Sequence, residues 1–139
     1  EDRHSALAVT IDLGEFNDIH PLRKKEVAER VAIALQRLYY GSKRPQAPAL
    51  VGAEVDEATV TLRFDQPLAE GEIHEMELAG ADGVFHNAVA NAKGRNVTVS
   101  SAQVKEPQHL RYAWKNNPQQ ADLRNKGGLP ASPFEQQLR

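Results

Sequence analysis

The 139 residues contain no cysteine. That excludes a disulfide framework, a thiolate metal site and a cysteine nucleophile, and it fits either redox compartment. No apolar run approaches the roughly 20 residues that a membrane-spanning helix needs. The N-terminal stretch also lacks the basic-then-apolar order of a signal segment. An excess of one charge is missing too: 17 Lys and Arg face 19 Asp and Glu, a formal net charge of −2. There is thus no electrostatic case for nucleic acid or an anionic membrane as partner. The one basic cluster, Arg23-Lys24-Lys25, reads as a solvated helix face. None of Ser5, Ser42, Ser100, Ser101 and Ser132 stands in a Gly-x-Ser-x-Gly elbow, and no phosphate-binding glycine loop is present. Repeats and low-complexity tracts are absent. The chain starts at Glu1 rather than Met, so a processed product or a fragment is expected.

What is present is 40% hydrophobic sequence, enough for one core or two small ones. Residues 5–12 scarcely alternate and read as a strand buried on both faces. Residues 21–40 read as a helix, with Pro21 suited to the first helical position and Gly41 as the stop. Val27, Val31, Ala34, Leu35 and Leu38 form its apolar stripe. Strand, loop and helix make half a βαβ unit, which needs parallel neighbours to cover it. The composition then changes. Residues 42–48 are polar with two prolines and read as a linker. Short strands are expected at 49–55, 58–64, 72–78, 84–90, 96–101 and 109–114, punctuated by Gly80, Gly83 and Gly94. Such spacing favours a small antiparallel sandwich. Residues 115–139 are polar and proline-rich, expected as an irregular tail wrapping a surface. The fold class is therefore α/β plus β. Residues 1–41 are the terminal strand and helix of an α/β domain, and residues 49–114 are a β-sandwich-like module. A strand–helix pair alone would leave sheet edges and an apolar face exposed, so a partner polypeptide or an upstream segment is expected.

The chemistry concentrates between Asp12 and Pro21, where an apolar run delivers a short acidic loop ending in His20. Imidazole titrates near neutral pH, so it can take a proton from a hydroxyl and return it to a leaving group. A base of this kind needs an acceptor on its other ring nitrogen. Asp18 is nearest in sequence, and Asp12 stands at the carboxyl end of the expected strand, where open α/β sheets place ligands. The competing reading makes His20 a cap or packing residue. A metal site built from His20, Asp18, Asp12, His4 or Glu15 matches no established spacing, and no cofactor is implied. His74, His86 and His109 read as surface or packing residues. Asn96-Val97-Thr98 is a glycosylation sequon that matters only in a eukaryotic secretory setting. Tyr112 and Trp114, with Arg111, could stack on a sugar ring, although core packing is the commoner role.

Two stretches carry a family resemblance. Asp12-Leu13-Gly14, Asn17-Asp18-Ile19-His20-Pro21, Lys25 and Glu29-Arg30 resemble the last catalytic block of the sialate O-acetylesterases, members of the SGNH-type hydrolases. Leu110-Arg111-Tyr112-Ala113-Trp114, Asn117-Pro118 and Gly128-Leu129-Pro130-Ala131-Ser132-Pro133-Phe134 resemble that family's closing signature. Residues 77–83 and 97–100 are similar to the β region between them. The resemblance implies that residues 1–41 end an SGNH-type three-layer α/β domain. It also implies a serine esterase that removes acetyl groups from sugar hydroxyls, with His20 as the base. The superfamily's acid stands three residues before the histidine, and that position here is Asn17, so Asp18 is the carboxylate at hand. The serine and the oxyanion-hole donors come from earlier blocks that this sequence does not contain. The implied partners are thus the N-terminal portion of the same enzyme, without which this chain is expected to be inactive, and an O-acetylated sugar substrate. A periplasmic, secreted or lysosomal setting is implied by the resemblance alone. The rival expectation is a non-catalytic β module for glycan binding or domain packing.

Overall fold

The computed structural model describes residues 4–138. Glu1 and Arg139, which bound the first and last expected segments, lie outside the described residues. One helix, α1 (Lys24–Tyr40), precedes nine strands: β1 (Leu50–Asp56), β2 (Thr59–Phe64), β3 (Gly71–Ile73), β4 (Met76–Ala79), β5 (His86–Asn87), β6 (Val89–Lys93), β7 (Asn96–Ser100), β8 (His109–Tyr112) and β9 (Phe134–Gln137). They form a five-stranded sheet, β1-β2-β7-β6-β3, and a four-stranded sheet, β5-β4-β8-β9. Every pairing between them is antiparallel. The fold is thus mostly antiparallel β with one helix, a sandwich-like module of the expected class.

Alternation along each strand explains the core. In β2, Val60, Leu62 and Phe64 point inward and are buried, while Arg63 between them is exposed. Val97 and Val99 of β7 and Ala90 and Ala92 of β6 continue that inner face. Met76 and Leu78 of β4 and Leu110 and Tyr112 of β8 supply the opposing one. Phe64 meets Phe134 of the second sheet edge to face, with ring centroids 6.2 Å apart. Each fully buried large apolar side chain contributes about 1.5–3 kcal/mol.

Four expectations change in the structure. Residues 5–10 take no strand pairing, and residues 11–13 form a turn. Parallel neighbours were required for a strand here, and both sheets of this chain are antiparallel and lie beyond residue 49. The helix starts at Lys24 rather than Pro21, with Arg23 as a cap whose side chain makes no capping hydrogen bond. It stops at Gly41 as expected, in the left-handed conformation at φ 62° that glycine adopts without strain. The expected strand 72–78 is divided into β3 and β4, which belong to different sheets, and Glu75 at φ 60° makes the corner. The tail is not wholly irregular: its β9 pairs with β8 and completes the second sheet.

The tail also anchors the linker. Buried Asn125 donates to the Gln46 carbonyl and the Gln66 side chain, each at 2.9 Å, and accepts the Leu129 N–H at 2.9 Å. Both amide hydrogens and the amide oxygen are thereby partnered in a place where an unmet group would be costly. At the other end of the linker, Arg37 of α1 donates to Gln46 and to the Arg44 carbonyl.

Candidate functional site

Val9 and Leu13 are buried and fasten the approach to the histidine loop, and the Leu13 N–H closes a turn onto the Thr10 carbonyl at 3.0 Å. Beyond Leu13, every residue from Gly14 to His20 is exposed. Local hydrogen bonds shape this segment instead of burial. The Asp18 N–H donates to the Glu15 carbonyl at 3.3 Å, and the Leu22 N–H donates to Glu15 Oε1 at 3.2 Å. Asp18 Oδ1 accepts the backbone N–H of His20 at 2.7 Å, the two-residue turn that Asp side chains favour. Asp18 therefore orients the His20 backbone, and no ring hydrogen bond joins the two residues. The His20 ring stands among three large apolar neighbours in sequence that are themselves uncovered: Phe16 is 77% exposed, Ile19 89% and Leu22 83%.

Asp12 has a different environment. Arg30 Nη1 donates to its Oδ1 at 2.5 Å and Nη2 to its Oδ2 at 2.9 Å, a two-pronged pair. Arg30 also donates to the Val9 carbonyl at 2.9 Å, and Arg23 donates to the Asp12 carbonyl at 3.2 Å. Burial pushes the Asp12 carboxyl up, but the hydrogen bonds and charge of Arg30 outweigh it and hold the group below 3.8. Both carboxylate oxygens are thus committed to Arg30 and not to His20. In the sequence, Arg30 is not among the residues of the apolar stripe of α1. Its i+7 spacing from Arg23, two helical turns, is the sequence signal that both could reach one point.

Among the remaining histidines, His74 has a built environment. Its backbone N–H and ring Nδ1 both meet the Asp122 carboxylate, at 3.0 and 2.6 Å, and Glu72 lies 3.9 Å from Nε2. The sequence offered no signal for this pair, because 48 residues separate its members. Among the described residues no group of three or more His, Asp or Glu could hold a metal ion. Tyr112 is fully buried, its hydroxyl accepting the Leu123 N–H at 2.9 Å, and so cannot stack on a ligand. Trp114 is half exposed. A groove of about 850 Å³ runs between residues 5–9, α1 and the edge strands β1 and β9. Leu7, Val9, Ile33, Leu50 and Phe134 line it, and His20 lies outside it.

These observations define a β-sandwich module bearing a helix and, ahead of it, an exposed histidine loop. Among solved structures, the chain is similar to a carbohydrate acetylesterase from Xanthomonas citri, with a TM-score of 0.85 and 37% sequence identity. The match covers 90% of this chain and 30% of that one, so the chain spans under a third of the enzyme's length. No protein-family model matches the sequence, and no curated protein does.

Proposed function

We propose that this chain is the C-terminal part of a carbohydrate O-acetylesterase of the sialate type, and that it supplies the general base His20. The observation that carries this reading is the 37% identity to a carbohydrate acetylesterase over 90% of the chain. An exposed histidine loop and an unpartnered apolar surface support it, since both suit a chain that docks on further layers. The partner is the N-terminal portion of the same enzyme, carrying the serine and the oxyanion-hole donors.

In the assembled site, the serine Oγ attacks the acetyl carbonyl while His20 accepts the hydroxyl proton. Backbone and side-chain donors of the partner hold the oxyanion. His20 then passes its proton to the departing sugar oxygen, which leaves an acetyl-serine. Water attacks that ester as His20 takes its proton, and returning the proton to the serine releases acetate. Asp18 holds the backbone of the base in place through the His20 N–H.

The test is hydrolysis of a chromogenic acetyl ester. The 139-residue chain alone should stay at background, and adding the serine-bearing portion should bring turnover that His20→Ala lowers by roughly 10⁴-fold or more. Robust turnover by the chain alone that His20→Ala abolishes would refute the dependence on missing blocks.

A further inference from the structure

The loop that presents His20 is exposed from Gly14 to His20 and again at Leu22, with Pro21 half-buried between, and therefore is not held by burial. Ordering each residue costs about 1–2 kcal/mol of backbone entropy, and a typical hydrogen bond returns about 0.5–1.5 kcal/mol. Its few internal bonds can shape the loop but cannot by themselves fix its base. Three chain segments meet at Asp12. The Asp12 carbonyl accepts Arg23, which closes the far end of the loop, and the Asp12 carboxylate accepts the fork of Arg30 one helical stretch further on. Arg30 simultaneously holds the Val9 carbonyl on the approach. The pair is shielded from water, with side chains 11% exposed for Arg30 and 14% for Asp12. A part-buried pair with this geometry is far less screened than a surface one.

We infer that Asp12 is a positioning residue for His20, fastening both ends of the histidine loop to α1 through Arg23 and Arg30. It does not orient the imidazole. This rests on the esterase reading for its catalytic consequence, but not for its structural one. Misplacing a base by about 1 Å can cost about 100-fold in rate. Asp12→Asn in the assembled enzyme should therefore lower kcat by about that factor, with KM unchanged and the pH at half-maximal rate unmoved. Arg30→Lys should not rescue function, because an ammonium has no planar fork to span both oxygens.

Two measurements separate the possible failures. In the 139-residue chain alone, {¹H}-¹⁵N heteronuclear NOEs at residues 15–20 and at Leu22 should fall in Asp12→Asn and in Arg30→Lys, while those of Val60, Leu62 and Val97 stay unchanged. Unchanged loop NOEs would overturn the positioning role whatever the activity. A shifted pH profile in Asp12→Asn would overturn it as well, by placing Asp12 on the imidazole. If the wild-type assembly shows no acetylesterase activity, the proposed function fails, and the loop NOEs still decide whether Asp12 fastens the loop. Should Asp12→Asn not fold, Asp12→Asn/Arg30→Gln leaves no unpaired charge and reads the same loop.

Discussion

Tyr112 and His20 illustrate how little residue type says about exposure. The aromatic ring near the C-terminus was a candidate for stacking on sugar, yet it ends β8 on the inner face and is fully buried. Its ring packs against Phe134 at 5.6 Å, and burial pushes its phenol far up. The hydroxyl is bonded because it must be: it takes the Leu123 N–H, fastening the tail to the core. Tyr112→Phe keeps the packing but orphans that N–H, so chemical denaturation should show a loss of about 1–3 kcal/mol. A neutral result would mean that the tail N–H finds another acceptor. His20, by contrast, stands among uncovered apolar neighbours, and its sequence motif gave its place in the chain but no covering surface.

At the scale of elements, the corner between β3 and β4 has the clearest electrostatic character. Glu75 turns the chain at φ 60°, its carbonyl takes the Ala113 N–H at 2.9 Å, and its carboxylate meets the Gln120 N–H and Lys115. Beside it, His74 and Asp122 tie the corner to the tail. The hydrogen bond to the Asp122 carboxylate, then that group's charge, holds the His74 imidazole above its ordinary 6.5; desolvation opposes this, and the charges of Glu72 and Glu75 add to it. The charged form is therefore favoured in the folded state. The stability this contributes is complete below about pH 6.5 and is lost as pH rises through the raised native value. In thermal melts from pH 5 to 9, His74→Gln should lie below wild type on the acidic side and converge with it on the alkaline side. Parallel curves would remove the pair from the pH response. The sandwich strands around this corner were legible because apolar alternation and turn residues are local. The split of residues 72–78 between two sheets was not, since a left-handed Glu75 carries no signal of its own.

For the whole molecule, the distribution of uncovered apolar surface is the dominant property. No residue of α1 is buried, and Val31, Leu35, Tyr39 and Tyr40 stand exposed along it, as do Leu7, Phe16, Ile19 and Leu22 before it. Helices of globular proteins normally bury such a stripe. The isolated chain should consequently bind a hydrophobic dye and self-associate in sedimentation, and Phe16→Ser/Ile19→Ser/Leu22→Ser should reduce both. Dye binding unaltered by that triple change would place the sticky surface elsewhere.

The sequence by itself determined a histidine loop, the helix after it ending at Gly41 and a β module after the linker, because periodicity, turn chemistry and motif order are all local. Tertiary structure alone decided which carboxylate meets which cation. It committed Asp12 to Arg30, and it brought Asp122 to His74. It also left residues 5–10 outside any sheet. The physical reason is the same in each case: a side chain's partner is set by which distant segments the folded backbone brings within about 3 Å, the range of a hydrogen bond.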